Sequence, residues 1–340
     1  MAISNIGDIV RSHASVTPDK AALVLGEREM SWRELLDRAS RVATGLAAAG
    51  VGPQDRIAFL DKNGIEHFEV FYGAALANAV CVDVNWRLAA PEVEFIVNDA
   101  AAKVLVVGPD FVPILDAIAD ALTTVSTILV IGGHDKHQDY DEWVAAHSPE
   151  DPRAPSGPDD VAFQLYSSGT TGRPKGVMLS NDNFFALLPL AADMWGLGPD
   201  SVNLVAMPLF HIGGGGWATA GQYEGATSVI VRDLDPAALV RLIPERHVTH
   251  AFLVPAVLQF MLMAPGIEDA DFSSLDTIVY GASPISEEVL ARSVATFGAK
   301  FWQAYGLTET TGAIVNLPPG VTVKPVDPQN GGTFSVLISW

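Results

Sequence analysis

Hydrophobic residues in the first third of the chain follow two alternating patterns. Ser31 and Glu34 form a Ser-x-x-Glu capping box, and apolar residues then recur every three or four positions until Gly50, which predicts a helix. Further helices are predicted at residues 65–77 and 90–99. Short apolar runs typical of buried strands lie between and after these helices, at residues 56–60, 80–84 and 103–107. The order is therefore strand, helix, strand, helix.

The same alternation resumes after a polar segment. Residues 132–160 contain four prolines and are interpreted as a long surface connection. Later strands are predicted at residues 161–165, 204–207, 228–231, 251–254 and 277–280, with helical stretches between most of them. Alternation of this kind favours an α/β fold of layered, mostly parallel sheets with helices on both faces. Residues 1–319 are expected to form one large domain, with possible subdomains on either side of the connection.

Composition narrows the classes of function. The chain has 340 residues, 49% of them hydrophobic, which is enough for a substantial core. Its formal charge of −20 opposes sequence-independent binding of nucleic acid. Cys81 is the single cysteine, so no internal disulfide is possible, and a reducing, cytoplasmic location is expected. Residues 1–20 lack a secretory signal pattern, and the apolar stretch 68–86 is broken by polar residues, so no integral membrane segment is expected.

The strongest chemical motif is the run LYSSGTTGRPKGVMLS at residues 165–180. Glycines, hydroxyls and two cations, Arg173 and Lys175, stand together there, and residues 161–181 contain no carboxylate although acids outnumber bases twofold overall. Such a loop suits a polyphosphate, since backbone N–H groups, hydroxyls and positive charge all attract phosphate oxygens. It is not a Walker A loop, because Pro174 precedes the lysine and Gly176 follows it.

Residues 166–176, YSSGTTGRPKG, resemble the phosphate-loop signature of the adenylate-forming superfamily, which includes acyl-CoA synthetases, firefly luciferase and peptide-synthetase adenylation domains. Three more segments resemble motifs of that family in the same order. They are PLFHIGG at residues 208–214, YGASPIS at 280–286 and QAYGLTET at 303–310. The PLFH form, together with NWRL at residues 85–88, leans toward fatty-acyl-CoA synthetases. The likeness extends from about Ile6 to Pro319.

The resemblance implies a reaction in two steps. ATP and a carboxylic acid give an acyl-adenylate and pyrophosphate, and the thiol of CoA then displaces AMP. By position, Lys175, His211, Thr308 and Glu309 are the predicted catalytic residues. Glu309 would bind Mg²⁺ with Thr170, Thr308 would hydrogen-bond the α-phosphate, and His211 would lie against the acyl carboxylate.

The remaining site residues are assigned in the same way. The predicted phosphate-binding residues are Ser167, Ser168, Gly169, Thr170, Thr171, Gly172 and Lys175. The predicted adenine site comprises Gly281, Ala282, Ser283, Gln303, Ala304, Tyr305 and Gly306, with Tyr305 stacking on the base. Gly213, Gly214 and Gly215 would leave room for the pantetheine arm of CoA. Residues 252–263 either line the acyl pocket or belong to the core, and neither the acyl-chain length nor the oligomeric state is readable.

A dinucleotide-dependent oxidoreductase is the main rival. Gly213, Gly215 and Ala218 match a relaxed glycine fingerprint, and Asp233 follows Gly213 by 20 residues. The match is weak because five residues separate Gly213 from the end of the preceding predicted strand at Met207.

The end of the chain suggests a second alternative. Residues 320–340 do not resemble the family, and the later Thr-Gly-Asp motif and the small carboxy-terminal domain with its catalytic lysine are not found. We therefore expect a truncated member of a family that serves fatty acid metabolism, in which thioester formation is near background. A vestigial domain that binds nucleotide or acyl groups without turnover is the alternative.

Overall fold

The computed structural model describes residues 3–167 and 172–320. Within these ranges the helices are α1 (Ile6–Val16), α2 (Trp32–Ala48), α3 (Ile65–Leu76), α4 (Ala90–Asp99), α5 (Val112–Ile118), α6 (Tyr140–Ala145), α7 (Asn181–Trp195), α8 (Ile212–Tyr223), α9 (Pro236–Glu245), α10 (Pro255–Met261) and α11 (Glu287–Phe297). None of these described helices has the length and apolar character needed to cross a membrane.

The strands form two sheets. They are β1 (Ala21–Leu25), β2 (Arg28–Ser31), β3 (Arg56–Leu60), β4 (Val80–Asp83), β5 (Val104–Val107), β6 (Thr127–Val130), β7 (Gln138–Asp139), β8 (Val161–Ser167), β9 (Lys175–Ser180), β10 (Val202–Val205), β11 (Thr227–Ile230), β12 (His250–Leu253), β13 (Thr277–Gly281), β14 (Lys300–Leu307) and β15 (Gly312–Leu317). One sheet has the order β15-β14-β13-β12-β10-β11-β1-β2, and the other has the order β7-β6-β5-β3-β4-β8-β9.

Most strand pairs are parallel, which confirms the predicted α/β class. The antiparallel pairs lie at sheet edges, where β1 pairs with β2, β8 with β9, and β14 with β15. The capping box of α2 is present, with the Ser31 hydroxyl accepting from the Glu34 N–H and the Glu34 carboxylate accepting from the Ser31 N–H. The sequence did not predict β14 and β15, because each contains a glycine and polar residues among its apolar ones.

The polar segment 132–160 is a surface connection only in part. It includes β7 and the helix α6, whose residues Tyr140, Trp143 and Val144 are buried. The Tyr140 hydroxyl donates to the Glu69 carboxylate at 2.9 Å, and that carboxylate also accepts from Arg38. The spacing of these three apolar residues is helical, but the surrounding prolines and charges obscured it.

The two antiparallel hairpins at the sheet edges position the candidate site. The β8–β9 hairpin closes the seven-stranded sheet, and the β14–β15 hairpin closes the eight-stranded sheet. Elsewhere the sheets are joined by a buried apolar cluster and by ion pairs, including a bidentate pair from Arg232 to the buried Asp61 at 2.8 and 3.0 Å. The two hairpins therefore face each other across a fixed junction.

Candidate functional site

The stem of the predicted phosphate loop is an ordered strand pair. Ser167 ends β8 and lies opposite Lys175, which begins β9. Gly172 has a φ of 88°, a conformation that favours glycine. The guanidinium of Arg173 lies 5.7 Å from the centre of the Phe95 ring, so a cation–π contact holds it near the loop. The predicted residues Ser168, Gly169, Thr170 and Thr171 lie outside the described residues.

Glu309 lies directly beside this stem. It belongs to a 3-10 turn, Thr308–Thr310, between β14 and β15. The Ser167 hydroxyl donates to the Glu309 carboxylate, with 3.1 Å between Oγ and Oε1. The Thr310 hydroxyl fixes the turn, because it accepts from the Leu307 N–H at 3.0 Å and also contacts the Gly312 carbonyl at 2.8 Å. Two segments 142 residues apart in the chain thus meet at this point.

The two segments assigned to the adenine are neighbours in the sheet. Tyr280 pairs with Gln303, and Gly281 pairs with Ala304, at the carboxyl ends of the parallel strands β13 and β14. A Cβ on Gly281 would collide with the Ala304 carbonyl, so this close approach requires glycine.

The outer residues of this segment are open to solvent. Ala282 has a φ of 64°, and both Ala282 and Ser283 are exposed. Tyr305 presents 57% of its surface to solvent, so an aromatic face is available for a flat ring to stack on. A Cβ on Gly306 would collide with the Gly312 carbonyl, so the glycine allows the β14–β15 hairpin to close next to Tyr305.

His211 caps the amino terminus of α8, and its backbone carbonyl accepts from the N–H groups of Gly214 and Gly215 at 2.8 and 2.9 Å. The residue as a whole is exposed, and its ring lies 4.4 Å, centre to centre, from the ring of Phe210. Desolvation by the surrounding protein, followed by repulsion from the Arg87 guanidinium, lowers the pKa of His211. The imidazole is therefore neutral at pH 7 and has one nitrogen to donate and one to accept.

Arg87 is a residue that sequence reasoning did not assign to the site. Its guanidinium lies 4.6 Å from the centre of the Trp86 ring and 5.6 Å from that of Phe210. This stack holds a cation beside His211. The NWRL run at residues 85–88 was noted, but its distance in the chain from His211 gave no signal that the two would meet.

The glycines after His211 allow α8 to pack closely. A Cβ on Gly214 would collide with the Pro208 carbonyl, and one on Gly215 would lie 2.9 Å from the Phe163 ring.

The dinucleotide-dependent oxidoreductase interpretation does not fit this geometry, because the glycines of its fingerprint lie inside α8 instead of in a strand-to-helix turn. Asp233 also pairs with Lys62, with 2.7 Å between Oδ1 and Nζ.

The amino end of α8 adjoins the turn that bears Glu309. A Cβ on Gly216 would lie 3.9 Å from the Thr311 carbonyl, and one on Gly312 would lie 3.7 Å from Ile212. The phosphate-loop stem, the 3-10 turn, the paired segments of β13 and β14, and His211 therefore surround one region. This region combines cations, a carboxylate, an exposed aromatic ring and a neutral imidazole, a set suited to joining a nucleoside triphosphate to a small acid.

Comparison with known proteins agrees with this chemistry. Residues 10–334 match the family described as AMP-binding enzyme. The fatty acid–[acyl-carrier-protein] ligase ScoC of Streptomyces coeruleorubidus is 38% identical over 318 residues, covering 92% of this chain and 60% of ScoC. The indoleacetate–CoA ligase of Aromatoleum aromaticum is 33% identical over 326 residues, covering 95% of this chain and 62% of the ligase.

A solved structure is also similar. The inhibitor-bound N-terminal domain of FACL13 from Mycobacterium tuberculosis superposes with a TM-score of 0.87 at 31% identity, covering 93% of this chain and 79% of that domain chain. The chain is therefore a member of the AMP-binding enzyme family, and its homologues are acyl-CoA and fatty acid ligases.

The chain spans about three-fifths of the length of these curated relatives. The family match continues to residue 334, beyond Pro319, where the motif comparison had placed the end of the likeness. Residues 321–340 lie outside the described part of the structure.

Proposed function

We propose that this chain binds ATP and a carboxylic acid and transfers AMP to the acid, giving an acyl-adenylate that reacts with the thiol of CoA. The contact between Ser167 and Glu309 is the observation that supports this most directly. It joins the predicted phosphate loop to the predicted magnesium ligand at 3.1 Å, although 142 residues separate them in the chain. Residues 1–319 would form the AMP-binding domain.

The charges near the stem suit a polyanion. Arg173 and Lys175 lie at the loop, and the run 161–181 has no carboxylate to repel phosphate. In this proposal Lys175 pairs with the β- and γ-phosphates, and Thr308 hydrogen-bonds the α-phosphate. Their role is to reduce the repulsion between two anions, the acid and the triphosphate, as the carboxylate approaches phosphorus.

The donor set at the stem also fits Mg²⁺. Glu309 is exposed, and its carboxylate and the Ser167 hydroxyl are hard oxygen donors of the kind Mg²⁺ prefers. Mg²⁺ normally uses one or two carboxylates together with phosphate oxygens and water, so a single glutamate is sufficient. Bound there, the ion would neutralise charge on the phosphates. The assignment of Thr170 as a second ligand remains a prediction.

The acid is proposed to lie at His211. A neutral imidazole can hydrogen-bond the carboxylate while leaving its negative charge, and hence its nucleophilicity, largely intact. Arg87, on its aromatic stack, adds attraction for an incoming anion. Gly213 to Gly215 remain the proposed approach for pantetheine, although packing of α8 already explains Gly214 and Gly215.

The proposal also covers the thiol that accepts the acyl group and the cellular setting of the reaction. ScoC is named as a ligase of acyl-carrier protein, whose thiol arm is the alternative acceptor to CoA. A cytoplasmic location fits the single buried Cys81. The similarity to ScoC, named as a fatty acid ligase, supports a role in fatty acid metabolism. A vestigial domain that binds ligands without turnover is the competing interpretation.

The test is mass spectrometry of products after incubation with ATP, Mg²⁺ and a panel of acids, with CoA, with acyl-carrier protein or with neither. We expect acyl-adenylate, and a lower yield with Glu309→Gln at limiting Mg²⁺. Glu150→Gln, an exposed glutamate outside the four motifs, is the matched control. ATP binding without any adenylate across the panel would support the vestigial interpretation, and absence of ATP binding would refute both.

A further inference from the structure

We propose that helix α4 positions the phosphate loop by holding both arms of the β8–β9 hairpin, one through Asp99 and the other through Phe95. The inference rests on the proposed function, because it takes the β- and γ-phosphates of ATP to lie at this loop. It goes further by naming three positioning residues, Asp99, Tyr166 and Phe95, to which no role has been assigned above.

The two faces of β8 lead to different partners. Successive residues of a strand point to opposite faces of the sheet. Ser167 contacts Glu309 on one face, and Tyr166 lies on the other, against the apolar cluster that includes residues of α4. The Tyr166 hydroxyl donates to the Asp99 carboxylate, with 2.7 Å between the hydroxyl oxygen and Oδ2. The end of β8 is therefore held from both sides, by the 3-10 turn on one and by α4 on the other.

Tyr166 carries this support across to β9. It pairs with Gly176, and a Cβ on Gly176 would lie only 3.1 Å from Cζ and 3.2 Å from the hydroxyl oxygen of Tyr166. The ring thus lies against the β9 backbone at the residue next to Lys175. Burial, followed by the hydrogen bond to Asp99, raises the pKa of Tyr166, so the hydroxyl keeps its proton and remains a donor. The hydrogen bond to Asp99 therefore fixes the ring that supports the backbone next to Lys175.

The same helix also holds the other arm of the hairpin. Phe95 and Asp99 are four residues apart in α4, so they lie on one face of the helix. The Arg173 guanidinium lies 5.7 Å from the centre of the Phe95 ring. An aromatic ring attracts a cation without neutralising it, whereas a carboxylate in this place would compete with phosphate. Arg173 is therefore held near the loop with its charge still available.

The charge of Asp99 separates positioning from simple electrostatics. Asp99 is exposed and acidic, and it lies one hydrogen bond away from a hairpin that is proposed to bind a polyanion. Coulomb repulsion alone predicts that loss of this carboxylate strengthens ATP binding. Positioning predicts the opposite, because the hairpin loses a contact that orders it. The sign of the change in ATP affinity therefore distinguishes the two effects.

The experiment measures binding, so it does not depend on turnover. ATP with Mg²⁺, and AMP, are titrated calorimetrically into the wild-type chain, Tyr166→Phe, Asp99→Ala and the double variant. AMP lacks the β- and γ-phosphates, so its affinity reports the adenine side of the site and not the loop. Glu94→Ala is the matched control, since it removes a carboxylate from the same helix. Thermal unfolding reports whether each variant is folded.

We expect Tyr166→Phe and Asp99→Ala each to weaken ATP binding about fivefold, the effect of one hydrogen bond, with AMP affinity unchanged. The double variant should bind ATP no more weakly than either single variant, because both changes remove the same contact. Glu94→Ala should not weaken ATP binding.

A second pair of variants tests the Phe95 contact. Phe95→Leu should weaken ATP binding about threefold, since it removes the aromatic face under Arg173. Phe95→Tyr keeps that face and should bind ATP as the wild type does. Unchanged ATP binding by folded Phe95→Leu would overturn the role of Phe95.

Three results would overturn the role of Asp99 and Tyr166 while leaving the proposed function standing. The first is unchanged or tighter ATP binding by either folded single variant. The second is an equal loss of ATP and AMP affinity, which indicates a structural role alone. The third is additive losses in the double variant. Failure of both ATP and AMP to bind the folded wild type would instead refute the proposed function itself.

Discussion

The phosphate-loop edge and the α8 side of the candidate site are built in opposite ways. At the edge, Ser167, Lys175 and Glu309 are solvent-accessible polar groups at the ends of strands and turns. On the α8 side, the buried ring of Phe252 packs against a helix that its glycines allow to come close, and Trp217 of that helix is buried beside it. The comparison teaches that charged groups at the edge can be altered with little effect on the fold, whereas residues around α8 are part of the core.

The largest effect is expected on the packed side. Gly214→Ala would drive a methyl group into the Pro208 carbonyl, and overpacking of this kind destabilises by about 1–3 kcal/mol. Gly198→Ala is the matched control, because no atom lies within 4 Å of the added Cβ. Denaturant unfolding measures the difference, and Gly198→Ala should stay within about 0.5 kcal/mol of wild type. Equal stability of the two variants would mean that α8 is not tightly packed at this point.

The second-largest effect is expected on ATP binding at the phosphate-loop edge. Lys175→Ala should weaken ATP binding about tenfold or more, since a charge-assisted hydrogen bond contributes about 1.5–3 kcal/mol. Unfolding stability should be nearly unchanged, because Lys175 is exposed. Lys136→Ala, an exposed lysine paired with Asp116 at 3.3 Å, serves as the control for lost charge. If ATP binding is the same in all three proteins, the phosphate loop has been misassigned.

A smaller effect is expected on the pKa of His211 when the neighbouring Arg87 is replaced. Replacing Arg87 with alanine should raise the pKa of His211 toward its ordinary value, because a repelling cation is removed. The rise should be incomplete, since desolvation, the larger cause of the lowered pKa, remains. An NMR titration of the imidazole measures it, and Arg87→Lys, which keeps the charge, should restore the lowered value. A pKa of His211 that does not respond would place Arg87 too far away to act on it.

The smallest effect concerns acid stability on the packed side. Burial lowers the pKa of His250, whose ring contacts the Trp195 carbonyl and the Thr249 hydroxyl. The nearby charges are Asp276, which favours the protonated ring, and Lys300, which opposes it. Below the ordinary pKa of 6.5 the unfolded chain binds a proton that the folded chain resists. The contribution of His250 to stability is therefore complete above pH 6.5 and falls as the solution is acidified.

Thermal unfolding across this range measures the effect. His250→Asn should flatten the decline in melting temperature between about pH 6.5 and pH 5, relative to wild type. His247→Asn is the matched control, since His247 is an exposed neighbour on the loop before β12. An identical decline in all three proteins would show that His250 does not contribute to it.

Local sequence patterns determined many of the helices and strands of this protein and one motif of its candidate site. The capping box at Ser31 and Glu34 and the apolar runs of β3, β4 and β5 follow from backbone and burial rules that act over a few residues. The phosphate-loop segment was also readable, because its glycines, hydroxyls and cations are contiguous. The helix α6 was missed where prolines and charges masked three buried residues, and β14 and β15 were missed because their pairing, not their composition, makes them strands.

Only the tertiary structure decided which distant residues meet. The resemblance had already assigned Glu309 to the same site as the phosphate loop, but nothing in the order of residues indicates that Arg87 lies beside His211 or that the Phe252 ring packs against the backbone of Gly213. Sequence constrains neighbours in the chain through steric preference and capping, whereas these contacts depend on how two sheets and the helix between them pack as a whole. The sequence could therefore indicate the contiguous phosphate-loop motif, whereas the packing around α8 required the tertiary structure.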